Sequence, residues 1–385
     1  MNEKDDIFYL EAVEVRREGG KAVHIMTVLG TRPEIIRLSL IMKKLDKVCT
    51  KHTVVYTGQN FTHSLSDVFF EQLAIRKPDY HLHMHKMNLG GQLASMYEFL
   101  EEVLKETMPD RVLILGDTNS ALSAILFERY GIPVYHMEAG NRCFDLRVPE
   151  EKNRRVVDAV SSYNLPYTGK SRQNLLDENI PVNRIFLSGN PINEVITHYR
   201  AKIRSSDILS KLNLGKKDYF LITIHRAENV DSPEILKEIF TGFNHLAEIH
   251  GKRMICSLHP RTQSKLSALQ DFELNPLVEL CEPFGLFDFV KLEENAACVL
   301  TDSGTVQEEC CILHVPAVTV RDATERPETI ECGSNILSGT KANRIVESVG
   351  IMMNQSTNWE LPEGYQDRNV SQKVINYLLG VRGVV

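Results

Sequence analysis

The chain lacks several features, and each absence removes a class of protein. It has no apolar run of the roughly 20 residues that a membrane helix needs, so no transmembrane segment is expected. Lys and Arg total 44 against 51 Asp and Glu, a formal net charge of −7, which gives a nucleic-acid partner no electrostatic support. No basic stripe marks a membrane surface. Residues 1–22 are polar and mixed in charge, with Asp5, Asp6, Glu11, Arg16 and Arg17, and they lack the apolar core of a signal peptide. The eight cysteines include no Cys-x-x-Cys spacing. Cys256, Cys281 and Cys298 fall in apolar runs, where cysteine acts as a small buried hydrophobe, so a reduced, cytoplasmic protein is expected. The adjacent Cys310 and Cys311 read as packing residues rather than a redox pair. Both the Gly-x-Gly-x-x-Gly fingerprint and the P-loop pattern are missing, which argues against a dinucleotide or P-loop site. The single Trp359 lies in a polar stretch and carries no functional signal.

What is present is a recurring order: a short apolar run, a polar turn, then a helix-like segment. Strands are expected at 22–29, 53–57, 111–115, 133–137, 164–167 and 184–187. Leu93, Met96, Tyr97, Leu100 and Leu104 form the apolar stripe of an amphipathic helix. Gly189-Asn190-Pro191 interrupts the rhythm as a hinge or linker. Strand-like runs then resume at 219–224, 253–258, 277–281, 297–300 and 317–320, with a helix over 233–250. Such alternation predicts parallel sheets covered on both faces, in two doubly wound α/β domains facing a cleft. Their expected bounds are 1–190 and 191–365, with a C-terminal helix within 366–385 packing back on the first.

Four polar stretches follow strand-like runs: Gly30-Thr31-Arg32-Pro33-Glu34, Gly116-Asp117-Thr118, His136-Met137-Glu138-Ala139-Gly140, and the segment 301–309 beginning Thr301-Asp302-Ser303-Gly304. Ligands of open α/β sheets bind beyond the carboxyl ends of the strands, so these clusters are expected to meet in one cleft. Arg32 sits at a helix start, where unpaired N–H groups and the dipole favour an anion; a solvated turn arginine is the plain alternative. Asp117 and Glu138, just past buried strands, are placed for proton transfer; for Asp117 a helix N-cap is the plain alternative. Glu150 and Arg154 share a helix face, either as site residues or as a simple salt bridge. His225-Arg226 and His259-Pro260-Arg261 end two strands of the second half. Ser303 and Gly304 read as a phosphate cradle with Ser303 capping the helix, and Glu309 is placed to accept ribose hydroxyls. Arg326 adds a cation at a turn. His81, His83 and His85 alternate, but no cysteine or acidic ligand flanks them, so no metal site is expected. The mixture points to an enzyme acting on a phosphorylated or nucleotide-linked substrate.

Taken in order, the motifs GTRPE, GDT, HMEAG, PEExNR, HRxEN, HPR, DSGxxQEE and TERPE resemble the non-hydrolysing UDP-N-acetylglucosamine 2-epimerase family. The resemblance covers about Val23 to Asn343 and implies the two-domain GT-B fold, with UDP held mainly by the second domain. It implies Asp117, Glu138, Glu150, Arg154 and His225 as catalytic residues. It implies Arg32, Arg37, His259, Arg261, Phe287, Ser303, Gly304, Glu309 and Arg326 as substrate or UDP-binding residues. No metal or other cofactor is implied, and the implied assembly is a homodimer. The implied reaction inverts carbon 2 of a UDP-2-acetamido sugar, UDP-N-acetylglucosamine first. The stretches Asn141-Arg142-Cys143-Phe144 and Pro283-Phe284-Gly285-Leu286-Phe287 resemble a branch acting on modified UDP-2-acetamido sugars for capsule or O-antigen. A glycosyltransferase of the same fold and a silent nucleotide-sugar binding protein are the competing readings.

Overall fold

Runs rich in Val, Ile and Leu form strands that are buried on both faces. In the computed structural model, which describes residues 23–58, 63–82, 88–258, 260–269 and 272–380, they assemble two six-stranded sheets. The N-terminal segment, His83, His85 and His259 lie outside the described residues.

The first sheet contains β1 (His24–Leu29), β2 (Lys51–Tyr56), β3 (Tyr80–His81), β4 (Arg111–Leu115), β5 (Val134–Met137) and β6 (Tyr163–Leu165). Their order is β3-β2-β1-β4-β5-β6, all parallel. The helix α1 (Arg32–Val48) leaves β1 with Pro33 in its first turn, where a missing N–H does no harm. On one face Met26, Val28, Val112 and Ile114 pack with Met96, Leu100 and Leu104 of α2 (Leu89–Thr107). The helix α3 (Pro149–Val160) connects β5 to β6. The C-terminal helix Val370–Gly380 belongs to this unit: Tyr377 stacks on Phe186 with centroids 4.2 Å apart, and Arg111 donates to the Leu378 carbonyl.

The second sheet contains β7 (Tyr219–Thr223), β8 (Arg253–Ser257), β9 (Val278–Cys281), β10 (Cys298–Thr301), β11 (Ala317–Thr319) and β12 (Asn335–Leu337). Its order, β12-β11-β10-β7-β8-β9, is the order of the first sheet with six added to each number and read from the other edge. Phe220 and Ile222 enter one core and Tyr219 and Leu221 the other, so β7 is buried throughout. The helix α4 (Pro233–His250) is capped by Ser232, whose side chain accepts from Ile235 N–H, and it ends at the left-handed Gly251. The helix α5 (Gly304–Leu313) follows β10.

The chain divides into two compact units. One holds 1–140, 148–188 and 369–385, the other 141–147 and 189–368. One expectation from sequence needs correction. Residues 184–187 are not a strand: a turn of 3-10 helix, Val182–Arg184, precedes a single parallel bridge from Ile185 to Asn164 beyond the edge strand. Trp359 is buried, and its Nε1 donates to the Cys311 carbonyl at 2.9 Å, a packing role.

Candidate functional site

A doubly wound sheet reverses its winding between two neighbouring strands, and loops diverge there to leave a crevice at the strand ends. In the first unit that point lies between β1 and β4. Three of the four polar stretches leave β1, β4 and its neighbour β5, so the order of the sheet brings them together.

The turn after β1 is closed by Glu34. Its carboxylate accepts from Gly30 N–H at 2.6 Å, from Thr31 Oγ1 at 2.9 Å and from Thr118 Oγ1 at 2.9 Å. The last bond ties the β1 and β4 turns. Gly30 cannot carry a side chain here, because a Cβ would collide with Ser120 Oγ and Thr57 Oγ1, which bond to each other at 2.6 Å. Arg32 points outward, its guanidinium 5.5 Å from the centre of the Phe69 ring.

Asp117 is not a helix N-cap. Its Oδ2 accepts from Arg154 Nε at 2.7 Å and lies 2.6 Å from Nη2 of the same guanidinium, a close ion pair on one oxygen. Arg154 also donates to Glu151 at 2.9 Å, and Asn153 Nδ2 holds the Asp117 carbonyl at 2.9 Å. Glu138 pairs with Arg37, and both are buried. Arg37 further lies 5.8 Å from the Tyr167 ring centre. Glu138 has φ +66°, a left-handed backbone that a glutamate adopts only when its surroundings hold it there. Glu150 is half-buried at the start of α3, one residue before the fully buried Glu151.

Burial pushes the Glu34 carboxyl up to about 7, against the lowering effect of its three hydrogen bonds and with a further push from Asp117. An acid with a higher pKa folded than unfolded favours the folded state at low pH. That contribution is complete below its ordinary 4.5 and is lost as pH rises to about 7. The span is worth about 3 kcal/mol. Glu34→Gln is expected to flatten the decline in stability between those pH values in urea titrations. A variant whose pH slope matches the parent's would mean that Glu34 does not titrate in this window.

In the second unit the reversal lies between β7 and β10. His225 follows β7 and Asp302 follows β10, so they meet there. The buried Asp302 carboxylate accepts from His225 N–H at 3.0 Å, Arg226 N–H at 2.9 Å and Asn229 Nδ2 at 3.1 Å, and it pairs with His225 Nδ1 at 3.0 Å. Burial alone would raise its pKa, but the His225 and Arg226 interactions outweigh burial and hold it below the usual carboxylate range.

Ser303 does not cap α5 with its side chain, contrary to expectation. Its N–H is turned to Thr301 Oγ1 at 2.9 Å, and its carbonyl accepts from Gln307 Nε2 at 3.2 Å. Gly304 packs against Glu325: a Cβ would lie 2.7 Å from Glu325 Oε1 and 3.6 Å from the Arg326 guanidinium. Glu325 is held by Arg226 at 3.2 Å and Arg321 at 2.9 Å. Arg326 is buried on Glu308, Nε to Oε1 2.5 Å, and Glu309 is buried on α5. Arg261 is half-exposed and clasps Asp231 at 2.5 Å, and Phe287 lies 5.5 Å from the Tyr199 ring with Lys202 5.3 Å above it.

Asp117, Glu138, Arg37 and Arg154 thus form one group in the first unit; Ser303, Gly304, Arg326 and His225 gather around the β7 and β10 ends of the second. Arg261 and Phe287 stand further along that sheet, beyond β8 and β9. Sequence reading missed Glu34, Glu151, Asp302 and Glu325 as anchors. All four stand inside the motifs, but nothing local shows which partner each one takes.

Two parallel sheets of one topology, each with ionisable side chains at its reversal point, define a doubly wound α/β protein of the GT-B type. The family model for UDP-N-acetylglucosamine 2-epimerase matches residues 43–379. The UDP-N-acetylglucosamine 2-epimerase of Methanocaldococcus jannaschii is 41% identical over 344 residues, covering 88% of this chain and 94% of that protein. The UDP-2,3-diacetamido-2,3-dideoxy-D-glucuronate 2-epimerase of Pseudomonas aeruginosa is 35% identical over 329 residues, 84% of this chain and 90% of that protein. A crystal structure of the M. jannaschii UDP-GlcNAc 2-epimerase in complex with UDP-GlcNAc and UDP superposes with a TM-score of 0.88 at 39% identity, over 93% of this chain and 100% of that one. The glycosyltransferase WaaG, 12% identical with a TM-score of 0.59 over 93% of this chain and 100% of that one, shares the fold alone. The chain belongs to the UDP-N-acetylglucosamine 2-epimerase family, a family of isomerases.

Among the described residues, no helix is long and apolar enough to cross a membrane.

Proposed function

We propose that the chain inverts carbon 2 of a UDP-2-acetamido sugar, interconverting UDP-N-acetylglucosamine and UDP-N-acetylmannosamine in the cytoplasm for surface polysaccharide synthesis. The observation that carries this reading is the pair of carboxylates, Asp117 and Glu138, at the heads of the adjacent strands β4 and β5 in a member of this family. The carbon 2 proton is not next to a carbonyl, so direct removal is difficult. Elimination avoids the problem. A base takes the carbon 2 proton, the electron pair forms a carbon 1–carbon 2 double bond, and the bond from carbon 1 to the UDP oxygen breaks. UDP then adds back to carbon 1 while an acid protonates carbon 2 on the opposite face. We assign the proton steps to Asp117, Glu138 and Glu150, with Arg154 and Arg37 orienting two of the carboxylates. We assign the UDP diphosphate to the second unit, where His225, His259, Ser303, Gly304 and Arg326 would offset the charge of the departing group.

In heavy water, turnover is expected to place deuterium at carbon 2 of the sugar and nowhere else, with a little free UDP released. Proton NMR showing full epimerisation with the original carbon 2 proton retained would remove the elimination scheme. The Pseudomonas relative, named for a diacetamido uronate, supports a second reading in which the sugar is modified. The same assay on that substrate decides, by which of the two turns over faster.

A further inference from the structure

His136 is buried on β5, two residues before Glu138, and the reaction scheme leaves it without a task. Its Nε2 lies 2.7 Å from the Gly116 carbonyl. Its Nδ1 lies 2.8 Å from Asp158 Oδ1, and Asp158 Oδ2 accepts from Gly140 N–H at 3.0 Å. A carbonyl can only accept, so Nε2 carries a proton. The Nδ1–Oδ1 contact shares one more proton, so both ring nitrogens are held by hydrogen bonds and the ring is fixed in place.

The relay joins three segments. Gly116 directly precedes Asp117, Gly140 is two residues after Glu138, and Asp158 is on α3, the helix that carries Glu150 and Arg154. The segments also need holding. Gly116 and Gly140 take φ of +80° and +78°, which glycine adopts freely, but Glu138 between them in this site has φ +66°, a left-handed backbone that a glutamate keeps only when its surroundings hold it. Nearby, the Gly116 N–H bonds to the Met137 carbonyl at 3.0 Å, and Asn164 Nδ2 fixes the Asp158 carbonyl at 3.0 Å.

We propose that His136 and Asp158 are positioning residues of this site: they set the orientation of Asp117 and Glu138 through the backbone and touch no substrate. The proposal rests on the epimerase reading given above. Misplacement of reacting groups by about 1 Å lowers rates about a hundredfold, so Asp158→Ala is expected to lower kcat about 10- to 100-fold. KM and the affinity for UDP are expected to stay within about twofold, since binding is assigned elsewhere. Asp158→Asn should restore most of the rate. Its Oδ1 still accepts from Gly140, and its amide donates to Nδ1 of a neutral imidazole that keeps its Nε2 proton. A readout independent of turnover accompanies it: hydrogen exchange at the Gly140 amide should speed up in Asp158→Ala and return toward the parent's rate in Asp158→Asn.

The two readings fail in different ways. A parent that turns over no UDP-2-acetamido sugar removes the epimerase reading, and this proposal with it. An active parent with an equally active Asp158→Ala, or with unchanged exchange at Gly140, removes the positioning role alone. If Asp158→Ala does not fold, His136→Gln serves instead. It keeps a donor for the Gly116 carbonyl and loses the bond to Asp158, and a kcat equal to the parent's would overturn the proposal.

Discussion

Asp117→Asn is expected to lose turnover by about a hundred- to ten-thousand-fold, the usual weight of a general acid or base, with the fold intact. Glu138→Gln is expected to lose as much turnover and, in addition, to melt markedly lower. Both substitutions keep shape and remove one ionisable group, so sequence alone treats them alike. Their partners make the difference. Arg154 bridges Asp117 and Glu151, and when the first charge goes the second still faces the guanidinium at 2.9 Å. The Asp117 side chain is also 18% exposed, so water reaches what is left. Arg37 and Glu138 are both buried, and their side chains are 2% and 7% exposed. Removing one partner of a buried pair typically destabilises by about 3–5 kcal/mol, because the other charge stays desolvated. Calorimetric melting of the two variants beside turnover checks this. Equal melting temperatures would mean that Glu138 is not what compensates Arg37, and near-normal turnover in either variant would make that carboxylate structural.

The fold was largely legible because buried parallel strands are near-continuous apolar runs, and the expected spans lie within two residues of β1, β2, β4 to β6 and β7 to β11. The two strands not foreseen, β3 and β12, are two and three residues long at the sheet edges, too short to show a period. The same weakness made 184–187 look like a strand. Strand order is not written in any local pattern either, yet it decides the site: β4 neighbours β1 and β10 neighbours β7 only through crossovers. The candidate carboxylates were visible as motif members. Their electrostatic partners were not, since Arg37 and Glu138 are 101 residues apart and Asp117 and Arg154 are 37 apart. Spacing of three or four offers only neighbours on one helix face: it pointed to Glu150 for Arg154, and Arg154 bonds to Glu151, the residue beside it. Conversely, Ser303 has the right residue type for a cap and spends its groups otherwise. A cap is decided by side-chain direction, which the residue type does not fix.

Gly304→Val is expected to reduce UDP binding by about a hundredfold or more, the equivalent of losing one or two good hydrogen bonds to charged phosphate. Sequence supplies one reason: a glycine at a helix start lets a phosphate approach the backbone N–H groups. The packing supplies another. Even the Cβ of alanine would lie 2.7 Å from Glu325 Oε1. Glu325 cannot simply swing aside, because Arg226 and Arg321 hold it. Displacing it would disturb Arg226, whose backbone N–H helps hold Asp302 beneath His225. Valine should therefore harm binding by blocking the approach and by loosening the β7 turn, whereas Gly304→Ala should show mainly the second effect and lose less. Calorimetric titration with UDP, with thermal melting as the check on folding, separates the two variants from Asp117→Asn, which should bind UDP normally without turning over. If Gly304→Val binds UDP as tightly as the parent, the start of α5 does not hold the diphosphate, and the charges on Arg326 and Glu308 are a structural pair and no part of a nucleotide site.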